Sequence, residues 1–130
     1  MEDLILQGEL FTWRGMTIRA ACPACDFVSR FDTRTLSDLR IAARIAETSF
    51  RTGRSPGGRL ERVEGSSTGL YELKVTPPGR RGPHTRLFFI VVDRIAWVSS
   101  GAVKTRQKLS RSDIAYADKI VQEWRREQGR

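Results

Sequence analysis

The spacing of apolar residues changes character along the chain. From Leu4 to Ala20 they alternate loosely, at Leu4, Leu6 and Leu10 and then Trp13, Met16 and Ile18, with Gly8 and Gly15 as punctuation. That pattern predicts one or two strands in an amino-terminal extension over 1–20. Phe27, Val28 and Phe31 then recur at helical spacing, which predicts a helix over 23–31. A second helix follows over 35–52, where Leu39, Ala42, Ala46 and Phe50 form one apolar stripe. Thr35 with Asp38 supplies its N-cap signature, and Gly53 its stop. Ser55-Pro56-Gly57-Gly58 and the run from Glu64 to Gly69 read as exposed loops, leaving a short strand at most over 60–63.

Beyond Leu70 the period falls to two. Tyr71, Leu73 and Val75 occupy one face of a strand, with Leu70, Glu72 and Lys74 on the other. A basic turn through Thr76-Pro77-Pro78-Gly79 and Arg80 to Pro83 leads into Arg86 to Val92, whose unbroken Leu-Phe-Phe-Ile-Val-Val run suits a central strand covered on both sides. Asp93-Arg94 turns the chain into a third strand over 95–99, with Ile95 and Trp97 opposite Ala96 and Val98. Short connections make these three strands antiparallel neighbours. By strand parity Tyr71, Phe88 and Trp97 belong to the core rather than to a base-stacking platform. Ser110 with Asp113 caps a last helix over 111–127, with Ile114, Ala117, Val121 and Trp124 as its seam. The predicted fold class is α+β: amino-terminal helices packed on an antiparallel β-sheet (60–99), closed by a carboxy-terminal helix.

At 130 residues, 39% hydrophobic and 29% charged, the chain fits one globular domain spanning 1–130 with a core of its own. The longest apolar run, Leu87 to Val92, is far short of the roughly 20 residues of a membrane helix. No partnership with a membrane is therefore expected. Met1-Glu2-Asp3 lacks the basic and apolar regions of a secretory signal, so the expected location is the cytoplasm. Cys22 and Cys25, in a Cys-Pro-Ala-Cys arrangement, are the only cysteines and His84 the only histidine. These fall short of the about four ligands of a zinc site, and no metal or other cofactor is expected. Without a doubly wound βαβ pattern around them, the two thiols are read as structural, with Pro23 starting a helix.

Charge changes the picture most. The formal net charge is +8, and Lys74, Arg80, Arg81, Arg86, Arg94, Lys104, Arg106, Lys108 and Arg111 all fall between Gly69 and Ser112. Cations so concentrated on a sheet point to a polyanion, and nucleic acid is the foremost candidate.

Within this segment, Gly69-Leu70-Tyr71-Glu72-Leu73-Lys74-Val75 resembles the Leu-Tyr/Trp-Glu-Leu-Arg/Lys strand of RelE/HigB-type toxins of type II toxin-antitoxin systems (the RelE/ParE superfamily), particularly their phage-derived branch. Arg86-Leu87-Phe88-Phe89 is similar to the following Tyr-Arg-Val-Phe-Tyr strand. Gly101 followed by Lys104-Thr105-Arg106-Gln107-Lys108-Leu109-Ser110, running into Asp113-Ile114, resembles that branch's Gly-Phe-x-Lys-Lys-Thr-Gln-Lys-Thr-Pro segment. The likeness covers roughly 60–122, and the helix over 35–52 agrees with the family layout. Ser100 stands where many relatives have His, and Ala102 where they have Phe.

The resemblance implies an mRNA endoribonuclease acting on message in the ribosomal A site and held inactive by a cognate antitoxin, expected to be a helix-turn-helix protein. Its catalytic residues would be Lys74, Arg86, Lys104 and Arg106, with Arg80, Arg81, Gln107, Lys108 and Arg111 binding RNA. Attack of a 2′-OH on the adjacent phosphorus builds negative charge on the phosphoryl and departing 5′ oxygens, which fixed cations stabilise. Arg86 suits a non-bridging phosphate edge, Lys74 is a candidate base, and the segment over 104–108 would stabilise the leaving oxygen. Glu61 and His84 are read as surface residues. The alternative reading is a non-catalytic RNA- or DNA-binding module of phage origin.

Overall fold

The computed structural model describes residues 2–3, 5–6, 9–10, 17–93, 95–105 and 110–129. Within them β1 (Glu2–Asp3), β2 (Ile5–Leu6), β3 (Glu9–Leu10) and β4 (Thr17–Ala20) precede α1 (Cys22–Ser29) and α2 (Thr33–Thr52). Then come β5 (Leu60–Arg62), β6 (Tyr71–Lys74), β7 (His84–Val92), β8 (Ile95–Lys104) and α3 (Arg111–Gln128). The fold is α+β, with a sheet of order β1-β4-β8-β7-β6-β5, while β2 and β3 pair separately.

The meander from β5 to β8 is antiparallel throughout, as the short connections require. Along its other side β4 pairs with β8 in parallel, Thr17 opposite Ile95 and Ala20 opposite Val98, so the sheet is mixed. No short turn joins β4 to β8, and the alternation pattern alone leaves that direction open.

Two cores cover the two faces. On one, Leu36, Leu39, Ala42 and Ala46 of α2 and Ala24 and Val28 of α1 meet Leu73, Val75, Leu87 and Phe89. Tyr71 joins them, stacked on Phe89 with ring centroids 5.5 Å apart. On the other, Ala117 and Val121 of α3 bury Leu70, Phe88, Ile90 and Ala102, and Trp97 packs against Trp124 at 4.3 Å. β7 is thus covered on both faces, which explains its unbroken apolar run.

Two boundaries differ from the sequence pattern, and the Gly53 stop agrees with it. The N-cap of α2 is Asp32, whose carboxylate accepts from the Thr35 amide at 2.8 Å. Thr35 therefore lies inside the helix, since an Asx residue three positions earlier supplies the same capping bond. Gly53 ends α2 in the left-handed region at φ 74°, where the absence of a Cβ removes the steric cost. β8 continues to Lys104 rather than stopping at Ser99. A bulge between Phe88 and Phe89 in the β7–β8 register pairs Phe88 with Ser100 and Phe89 with Val98, so Ser99 is extra. This inverts the alternation: Trp97 points toward α3 before the bulge and Ala102 after it.

Candidate functional site

Register brings the sequence-predicted cations together. Lys74 of β6 lies opposite Arg86 of β7, Arg86 opposite Ala102 of β8, and His84 opposite Lys104. Because side chains alternate, Lys74, Arg86 and Lys104 project on the face that α3 covers further along, at Phe88 and Ile90. Lys104 owes its place there to the bulge, which sets the parity of 100, 102 and 104.

At the centre of these cations sits Glu72. The charge reading of the segment passes over it, although it stands two residues from Lys74 in the motif and so shares its face. Glu72 Oε1 lies 2.6 Å from Arg86 Nε and 3.9 Å from Lys104 Nζ. Both side chains of the Glu72–Arg86 pair are nearly buried, at 7% and 9% exposure. Their approach is a charge contact without an aligned hydrogen bond. Lys74 pairs outward with Glu61 at 2.8 Å, and Glu61 is half exposed, as its sequence position suggests.

His84 completes the cluster. Its Nε2 is 2.5 Å from the Arg80 carbonyl and its Nδ1 is 3.4 Å from an Arg86 terminal nitrogen. A carbonyl only accepts and a guanidinium only donates, so these partners assign the neutral tautomer protonated at Nε2. His84 thus steadies Arg86 from the strand start and is half buried rather than an exposed turn residue.

Lys104 carries the chemistry best suited to proton transfer. Burial pushes the pKa of its ammonium below the usual lysine range; Glu72 opposes that shift, while Arg86 and Lys74 add to it. Sequence reasoning assigns the base role to Lys74, because the burial of residue 104 depends on the continuation of β8 past the bulge.

The remaining predicted residues are placed differently. Arg80 forms a bidentate ion pair with Asp38 of α2, one arm at 3.3 Å, and so ties the β6–β7 turn to that helix. Arg81 is exposed in the same turn. Arg111 is the first residue of α3 and borders a groove of about 690 Å³ with Glu64, Ser67 and Lys119. Arg106, Gln107 and Lys108 lie outside the described residues, as does Arg94. Ser100, paired with Phe88 across the β7–β8 register, is 2% exposed.

Two contacts, one on each face of the sheet, brace the strands around the cluster. Phe27 of α1 packs on Gly101, where a Cβ would stand 2.3 Å from the ring and 2.9 Å from the Arg86 carbonyl oxygen. On the other face, Asp118 of α3 accepts from Ser66 Oγ at 2.7 Å, from the Ser67 amide at 2.9 Å and from the Thr68 hydroxyl. Burial pushes the Asp118 carboxyl up, but the bonds from Thr68, Ser67 and Ser66 outweigh it and hold the group below the usual carboxylate range.

Among the described residues no group of three or more His, Cys, Asp and Glu side chains is placed to hold a metal ion. No helix among them is long and apolar enough to cross a membrane. Comparison with family models, with curated proteins and with solved structures finds no match.

Proposed function

We propose that the protein is an endoribonuclease of the toxin type, cleaving mRNA by 2′-OH attack at the Lys74, Arg86 and Lys104 cluster. The observation that carries the reading is the convergence of these cations on one sheet face, with Lys104 at a depressed pKa. Arg86 donates its terminal nitrogens to a non-bridging phosphate oxygen while Glu72 holds Nε. Neutral Lys104 takes the proton of the 2′-OH as the 2′ oxygen bonds phosphorus. The bond from phosphorus to the 5′ oxygen breaks, and the Lys74 ammonium protonates the departing oxygen. The products are a 2′,3′-cyclic phosphate and a 5′-hydroxyl. Arg81 and Arg111, with Arg106, Gln107 and Lys108 next to Lys104 in sequence, supply backbone contacts; Arg80 would have to exchange Asp38 for RNA. The resemblance extends the proposal to ribosome-bound message, a cytoplasmic setting and a helix-turn-helix antitoxin.

A second reading, a nucleic-acid-binding module without turnover, is favoured by one feature: Glu72 already neutralises a nearly buried Arg86. Induced expression separates the two. Growth arrest with new 5′ ends inside translated messages, both lost in a folded Arg86→Ala variant, is the outcome expected of the nuclease. Unchanged growth and intact messages at high expression support the binding module.

A further inference from the structure

We propose that Cys22 and Cys25 form a redox-active dithiol that exchanges reversibly with small-molecule disulfides. Neither cysteine is in a disulfide; Cys22 is exposed and Cys25 half buried. An exposed thiol contributes no packing, so the structural role expected from sequence covers Cys25 alone, which packs against the core beneath α1.

β4 ends at Ala20 and passes through one extended residue, Ala21, into the turn bearing both cysteines, and that strand pairs with the sheet in parallel. The Ala21 amide donates to the Val98 carbonyl at 2.9 Å, so the turn is anchored to β8. The cysteines occupy the first and fourth helical positions of α1, on one face.

Helical positions three apart hold their Cβ atoms about 5–6 Å apart, whereas a disulfide needs about 3.5–4.5 Å. Closure therefore requires the first turn to tighten. That turn is cheap to deform: its leading amides have no intrahelical partner, and Pro23 has no amide hydrogen. The Cys25 amide bond to the Ala21 carbonyl, at 3.0 Å, must adjust, and the contact of the Cys25 thiol with the Ala20 carbonyl, at 3.9 Å, must be given up. A disulfide formed this way is exposed and under strain, properties of labile rather than structural bridges. It closes a four-residue loop, which constrains the unfolded chain less than a long loop would.

Exchange starts at the accessible sulfur. The Cys22 thiolate attacks a disulfide such as oxidised glutathione, forming a mixed disulfide and expelling one thiolate. Cys25, giving up its proton, then attacks the Cys22 sulfur and expels the second thiol. Two protein thiols are oxidised to one disulfide, and one small disulfide is reduced to two thiols.

Intact-protein mass spectrometry of the native protein equilibrated in glutathione buffers tests this. Under excess oxidised glutathione the protein should lose two hydrogens, with a bridge mapped between Cys22 and Cys25 that reverts in excess reduced glutathione. Cys25→Ser should accumulate one glutathionyl adduct on Cys22, and Cys22→Ser should react much more slowly. A wild-type protein that keeps stable glutathionyl adducts, dimerises through Cys22, or leaves both thiols unmodified while the urea-unfolded chain reacts overturns the proposal.

Discussion

Lys104 is where sequence position and chemical behaviour diverge most. The sequence places it in a basic segment expected to stabilise the leaving oxygen, yet its side chain is 8% exposed and faces Glu72, Arg86 and Lys74. Desolvation of the ammonium is the leading cause of its lowered pKa. If the neutral amine is the base, cleavage should rise with pH through a single ionisation below the ordinary lysine value of about 10.4. The rising limb marks loss of the proton from Lys104, because only the neutral amine can accept one. Lys104→Arg keeps a cation that does not deprotonate. That variant should bind RNA within severalfold of wild type while the pH-dependent cleavage disappears, as measured by single-turnover rates across pH beside a binding titration. The partners of Lys104 define its role as much as its identity does, and Glu72 makes the point from the other side. Its place in the motif is visible in the sequence, but its meeting with Arg86 and Lys104 depends on a three-strand register.

At the scale of elements, two packing contacts hold the strands that carry the cluster. α1 approaches β8 through Phe27 and Gly101, and an added Cβ would collide with both the ring and the β7 backbone. Gly101→Ala should cost about 1–3 kcal/mol by overpacking, read as a lowered urea midpoint at unchanged m-value. The α3 contact depends on Asp118, whose folded-state pKa is depressed. A depressed carboxylate contributes stability that is fully present above its unfolded pKa of about 3.9 and is lost as pH falls through the folded value. Wild type should therefore lose its stability advantage over Asp118→Asn as pH drops from 5 toward 2, whereas a constant difference would place the stabilisation elsewhere. The helices, the capping of α3 by Ser110 and the alternating faces of β6 and β7 were legible in the sequence, because apolar spacing reports which side of an element is buried. The cap of α2 was displaced because Asp32 offers the same capping chemistry three residues before Thr35. The true end of β8 and the parallel seating of β4 were not legible. A bulge reverses strand parity without a composition signal, and pairing between strands distant in sequence has no turn to announce it. The site divides in the same way: Lys74 and Arg86 follow from parity and Lys104 from the resemblance, whereas the burial of Lys104 beside Glu72 and the place of His84 depend on pairing.

Over the whole molecule, a chain of formal net charge +8 folds as a sheet covered on both faces by helices. That excess favours association with any polyanion and makes affinity fall with added salt. Charge alone therefore supports binding and leaves turnover to the site. The proposed cleavage rests on the arrangement at β6, β7 and β8: Lys104 with its lowered pKa, Lys74 beside it, and an arginine held between Glu72 and His84. End-group analysis of RNA incubated with the purified protein, alone and on programmed ribosomes, tests that claim most directly. Wild type should yield fragments with 2′,3′-cyclic phosphate and 5′-hydroxyl ends, and Lys104→Arg should leave RNA intact but bound. RNA that stays intact while bound to the wild-type protein in both settings, or cleavage undiminished in Lys104→Arg, would contradict the claim.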